Sequence, residues 1–131
     1  MSSKISLSLR ILVAVILVQT LRFKFTAHPD SVYIFTMLNL EPYGRIGIGI
    51  IELISATLLL IPKTVWVGAS ISIAVISGAI ISHLTKLGII VNEDKGLLFT
   101  TAIITLVLSV VILILHRKEI RIKTLFYNAK I

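Results

Sequence analysis

The chain has 131 residues and a formal net charge of +7, with 56% of its residues apolar and only 15% charged; its mean hydropathy is +1.04. Soluble domains run nearer about 45–50% apolar and about 25% charged, so this composition excludes a soluble monomer, and equally a disordered chain, which is polar and poor in Leu and Ile. With no cysteine, disulfides, thiol redox catalysis, Cys-ligated zinc, iron–sulfur clusters and covalent haem are excluded as well.

One domain over residues 1–131 remains, an integral membrane protein whose spans each need roughly 20 mostly apolar residues. The first span is expected over about residues 6–25. Only 11 uncharged residues lie between Arg10 and Arg22, so both arginines are expected to snorkel toward head groups. A cleaved leader is the rival for this segment, but Phe23-Lys24-Phe25-Thr26-Ala27-His28 lacks a clean small-x-small site. The long connection that follows is apolar and aromatic from Asp30 to Leu38. Pro29 and Asn39 would frame a short helix there, lying at the membrane surface or folded over the bundle.

The second span is expected over 45–62. From Ile46 to Pro62 it holds 17 residues and one charge, Glu52, and reaches about 25 Å. Pro62-Lys63 makes a tight turn, so spans two and three are antiparallel neighbours. The third span, 65–85, lies in the 22 uncharged residues from Thr64 to Thr85, and the fourth, 96–116, in the 21 from Gly96 to His116. Asn92-Glu93-Asp94-Lys95-Gly96 is a polar turn between them. A basic tail, 117–131, follows. The expected fold is all-α: an integral membrane four-helix bundle with a short interfacial helix in its first loop.

Eight basic residues (Lys4, Arg10, Lys63, Arg117, Lys118, Arg121, Lys123, Lys130) fall on one side and five (Arg22, Lys24, Arg45, Lys86, Lys95) on the other. The positive-inside bias then places both termini in the cytoplasm. A juxtamembrane basic cluster of this kind serves topology and anionic lipid, so the partner expected is the bilayer and not nucleic acid.

Ionisable groups inside spans are costly and face the bundle interior. Alternating chain direction puts Gln19, Glu52, His83, Thr100 and Thr101 in one half of the membrane, with Lys24, His28, Glu41 and Arg45 just above. Glu52 shares its helix face with Arg45, Gly49, Ser55, Ala56 and Leu59. An unpaired carboxylate in low dielectric would protonate, so Glu52 is either neutral or paired with Arg10, Lys24, Arg45 or His83. It is an internal anchor, or with His83 a candidate proton-transfer pair. His83 could also donate to a quinone carbonyl, or simply sit at the interface. Lys24, His28, Arg45, Gln19 and Thr101 are candidates for ligand or partner binding. No tight ligand spacing points to a metal. Ser70, Ala74, Gly78 and Ser82 recur every four residues on span three, a small-xxx-small pattern for helix packing. Thr101, Thr105 and Ser109 make a polar stripe on span four. No dinucleotide fingerprint, phosphate loop, HExxH or hydrolase nucleophile occurs.

Arg10 opening span one, Phe23-Lys24 closing it, Gly49 to Glu52 as Gly-x-x-Glu, and a small-residue-rich third span ending at His83 resemble the DoxX-like family of small four-helix membrane proteins. Phe23-Lys24-Phe25-Thr26 with Pro29, and Glu41-Pro42 before Gly44-Arg45, resemble one subgroup of it. The resemblance covers roughly residues 8 to 115. It implies a bacterial inner membrane, and relatives associated with quinone-linked sulfur oxidation and redox-stress complexes. Relatives often carry Gly before the Lys closing span one, where this chain has Leu21-Arg22-Phe23-Lys24. Three functions are therefore expected as rivals: a non-catalytic or accessory subunit of a larger membrane assembly or homo-oligomer, a quinone-linked oxidoreductase component, and a proton- or solute-conducting bundle. No cofactor is evident from the residues; quinone enters only with the second.

Overall fold

The structure is a computed structural model, which describes residues 2–90 and 95–117. Among the described residues the α-helices are α1 (Ser2–Phe25), α2 (Pro29–Met37), α3 (Tyr43–Leu60), α4 (Val65–Ser82) and α5 (Leu97–Leu115). A 3-10 turn over Pro62–Thr64 leads into α4, and a π-helical turn over His83–Leu87 ends it. Four helical segments, Lys4–Phe25, Tyr43–Leu60, Pro62–Leu87 and Leu97–Leu115, are long and apolar enough to cross a bilayer. The chain is a multi-pass helical membrane protein. The expected tail over 118–131 and the turn residues Asn92, Glu93 and Asp94 lie outside the described residues.

The local reasons for these boundaries are chemical. α1 ends where Ala27 turns to φ 54°, and His28 N–H reaches back to the Phe23 carbonyl at 3.0 Å. That 6→1 bond with a left-handed residue inside it is a helix-terminating motif. α2 ends the same way: Asn39 takes φ 59° and Leu40 N–H bonds to Phe35 O at 2.8 Å. Its start is set by Pro29 and by the His28 ring, whose Nδ1 accepts from Asp30 N–H at 3.2 Å. α2 packs on α1, α3 and the π-helical turn, burying Ser31 and Phe35, so it folds over one end of the bundle.

The four spans form a ring in which α1 lies beside α3, α3 beside α4, α4 beside α5, and α5 beside α1. Chain direction alternates around it. The buried apolar core holds Val13, Ala14, Leu17, Ala56, Leu59, Val65, Ala69, Ile76, Ala102 and Ile112. Large apolar side chains cover the outside: Val15 is 57% exposed, Ile81 60% and Leu97 65%, a surface fit for lipid and not for water. Lipid tails are as apolar as Leu, so the spans are held by close packing and hydrogen bonds. Ser55 donates to the Gly68 carbonyl at 2.8 Å, and the Ser72 and Ser109 hydroxyls pair at 2.8 Å. Ser6 and His116 Nε2 pair at 2.6 Å, joining the start of α1 to the end of α5.

Two sequence expectations need correction. Arg10 does not snorkel: it is 7% exposed and donates to the Leu59 carbonyl at 2.7 Å and the Leu60 carbonyl at 3.3 Å. These are last-turn carbonyls of α3, which have no intrahelical partner. Second, α4 packs inside the bundle through Val65, Gly68, Ala69, Ser72 and Ile76. The stripe of Ser70, Ala74, Gly78 and Ser82 runs along the other side, with Ala74 and Gly78 exposed. Its two hydroxyls bond back to their own helix, Ser70 to Trp66 O at 2.8 Å and Ser82 to Gly78 O at 2.9 Å.

Two glycines on α4 therefore predict opposite outcomes. A Cβ at Gly68 would lie 2.7 Å from Leu59 N and 2.9 Å from Ser55 O, backbone atoms that cannot move aside, whereas one at Gly78 meets nothing within 4 Å. Gly68→Ala should destabilise the bundle by about 1–3 kcal/mol, and Gly78→Ala should be neutral or gain up to about 1 kcal/mol from helix propensity. Unfolding midpoints in one detergent compare them; equal midpoints would contradict this packing.

Candidate functional site

Glu52 sits nine residues into α3, on the face buried with Arg45, Gly49, Ser55, Ala56 and Leu59. It is 4% exposed. Lys24, in the last turn of α1, places Nζ 3.2 Å from its Oε2, and Thr20, one turn earlier, places its hydroxyl 2.8 Å from the same oxygen. That hydroxyl is also 2.8 Å from the Leu17 carbonyl, so its single proton faces two acceptors. Of the four partners expected for Glu52, Lys24 is the one that reaches it.

Arg45 lies in the first turn of α3, 7% exposed. Its Nε is 2.9 Å from Oε1 and 3.0 Å from Oε2 of Glu41, and its Nη1 donates to the Lys24 backbone carbonyl. The two ion pairs are thus linked through residue 24. Glu41–Arg45 at the rim and Lys24–Glu52 below it form one continuous set of alternating charges between α1 and α3. Phe25 closes its flank: a Cβ at Gly49 would lie 2.7 Å from the Phe25 ring, so the ring rests against the helix next to Glu52.

His83 stands apart from this set. It is 5% exposed and opens the π-helical turn. Its Nδ1 is 2.9 Å from the Gly88 carbonyl, and Phe99 of α5 stacks edge-on at 5.6 Å. A carbonyl only accepts, so Nδ1 carries the proton and Nε2 of the neutral ring is an acceptor. The neutral ring therefore cannot donate to a quinone carbonyl. No hydrogen bond joins His83 to Glu52, the two residues expected as a proton-transfer pair.

The other candidates divide as follows. His28 caps α2 and meets Phe23 edge-on at 4.6 Å. Gln19 faces outward, exposed, while its neighbour Thr20 takes the inward place beside Glu52. Thr101 is half-buried, and its carbonyl accepts from Thr105 at 2.8 Å. Among the described residues no three His, Asp or Glu side chains converge as a metal site. Thr20 was missed from the sequence although a signal existed: it lies four residues before Lys24 and three after Leu17, on the stripe that also carries Arg10 and Ala14. Chemically the arrangement is self-neutralised. Each acid at the α1–α3 seam faces a base, and each base also holds the other helix. Compared with protein-family models, with curated proteins and with solved structures, the chain matches none.

Unpairing a buried ion pair leaves one uncompensated charge, which costs about 3–5 kcal/mol. Glu52 is the deeper partner, with 5% side-chain exposure against 14% for Lys24, so Lys24 can reach the surface when released. Lys24→Met should then destabilise by about 3–5 kcal/mol, and Glu52→Gln, which keeps the Thr20 hydrogen bond, by about 1–3 kcal/mol. The Lys24→Met/Glu52→Gln double variant should recover much of the larger loss. A double-mutant cycle on unfolding midpoints measures this, and simple additivity would show that the pair does not couple.

Proposed function

We propose that this chain is a non-catalytic, accessory subunit of a larger membrane assembly. One observation carries the reading: the charges buried between α1 and α3 are engaged within the chain. Glu52 holds Lys24 and Thr20, Arg45 holds Glu41 and the end of α1, and Arg10 holds the end of α3. Groups committed in this way fix helices and leave little free to move a proton or grip a substrate. The outward small-residue stripe on α4 supports the same reading, because small residues let a second helix approach closely in lipid. In this proposal the chain lies in a bacterial inner membrane with both termini cytoplasmic. The DoxX-like resemblance and the positive-inside bias support that placement, and the Ser6–His116 pairing sets the start of α1 and the end of α5 at one face.

The quinone-linked reading draws support from the polar groups gathered in one half of the membrane. It is the weaker reading, since Glu52 and Arg45 are engaged within the chain and His83 is held to the Gly88 carbonyl through Nδ1. Gentle detergent extraction followed by native mass spectrometry separates the two. Foreign subunits at fixed stoichiometry are expected, lost in Ala74→Leu and Gly78→Leu, which add bulk on the outer face of α4 without touching the core. Stoichiometric quinone without foreign subunits, with its loss in Glu52→Gln and His83→Ala, would overturn the accessory reading.

A further inference from the structure

The face of α1 that points away from the bundle carries a pattern the bundle does not use. Ile5, Ser8, Leu12, Val15, Gln19 and Arg22 follow one another at alternating steps of three and four, and all six are exposed. At 100° per residue this seam lies diametrically opposite the buried stripe of Ser6, Arg10, Val13, Ala14, Leu17 and Leu21. It is the a/d spacing with which two helices of one sequence pack together in parallel.

Gln19 is the residue that decides what covers it. Thr20, its neighbour, is bonded to Glu52 nine residues into α3, so Gln19 stands level with that buried carboxylate and well inside the candidate span Lys4–Phe25. Two smaller polar side chains on outward faces satisfy themselves against their own helices: Ser8 bonds to Lys4 O at 3.0 Å and Thr57 to Leu53 O at 2.9 Å. The Gln19 amide has no side-chain hydrogen bond among the described residues. In hydrocarbon an amide without a partner is costly, and interhelical hydrogen bonds of Asn and Gln tie membrane helices together.

We infer that α1 is a self-association face, through which two copies of this chain pair with Gln19 hydrogen-bonded to Gln19. A carboxamide is donor and acceptor at once, so it is its own complement. Copies inserted in the same orientation are related by a two-fold axis along the membrane normal, which brings residues of equal depth together. Gln19 meets Gln19 by symmetry, as a polar a-position sets register in soluble coiled coils. Ser8 adds no charge to the seam. Arg22, the one charge on it, lies three residues nearer the membrane surface, where both copies of it reach head-group phosphates. This contact goes beyond the accessory reading and is independent of the α4 stripe.

The lack of cysteine in the chain makes the test direct. Leu12→Cys and Val15→Cys are introduced singly into the full chain in phospholipid vesicles and oxidised, with Ile50→Cys on the outer face of α3 as the comparison. Disulfide-linked dimers are expected at positions 12 and 15 and not at 50. Gln19→Leu, placed in the Val15→Cys background, should weaken dimerisation by about 5- to 30-fold, and Gln19→Asn should retain it. Gln19 is exposed in the single chain, so at a dilution where both are monomers the Leu variant should keep the unfolding midpoint of the parent chain. Equal cross-linking at 12, 15 and 50, or equal dimer fractions with Gln and Leu at position 19, overturns the inference. Foreign subunits in native mass spectra leave this result unaffected, so the two readings fail separately.

Discussion

Two arginines, each buried in the seam between α1 and α3, close the end of the other's helix. Arg10 of α1 donates to the last carbonyls of α3, and Arg45 of α3 donates to the Lys24 carbonyl in the last turn of α1. A helix end leaves carbonyls unpaired, and at membrane depth no water is at hand to take them. A guanidinium answers both needs, supplying several donors and a positive charge at the negative end of the helix dipole. The long connection through α2 cannot fix how α1 slides along α3. The reciprocal caps do, and Glu52 with Lys24 and Thr20 pins the register between them.

The rest of the bundle follows from that pair. α4 is placed on α3 by the short Pro62–Thr64 turn and by Gly68, whose missing side chain lets the Ser55 hydroxyl reach the backbone. α5 then closes the ring through Ser72–Ser109 and Ser6–His116. The two halves of the membrane differ in consequence. Near the Pro62 turn the interior is mainly apolar, filled by Val13, Leu17, Leu59, Val65, Ala69 and Ile112, with Arg10 the buried charge there. The opposite half holds Glu52, Lys24, Arg45 and His83, and α2 lies over that end. Glu52 and Arg45 are buried there, and burial strengthens each attraction and raises the penalty for any charge left alone.

Much of this was legible in the sequence because it depends on periodicity. The four spans, the helix framed by Pro29 and Asn39, and the shared face of Arg45, Gly49, Glu52, Ser55, Ala56 and Leu59 all follow from spacing. Which way a residue points around an apolar helix does not. The spans are hydrophobic on every side, so no polar face marks the outside. Arg10 reads equally well as snorkelling or inward, and it turns inward because α3 ends beside it. Gln19 and Thr20 differ by one step of about 100°, and the step decides which of them meets Glu52. Likewise Ser70 to Ser82 announce close packing, yet the packing used inside the chain is on the opposite side of α4. Contacts between neighbouring helices, such as Arg45 to the Lys24 carbonyl, depend on tertiary register that local pattern does not contain.

The ring order has a consequence for assembly. α1 touches α3 and α5, and α4 touches the same two helices, so α1 and α4 stand on a diagonal and their outer faces look in opposite directions. The Gln19 seam and the small-residue stripe are therefore not competitors for one partner. They also act by different physics. A Gln amide contributes a hydrogen bond that hydrocarbon makes specific, whereas Ala74 and Gly78 contribute only close approach, which suits a helix of any sequence with a smooth face. Two chains joined along α1 would turn both α4 stripes outward, one on each side. A pair of equivalent docking faces would then follow from the two-fold axis itself, with the charged seam between α1 and α3 left intact inside each copy.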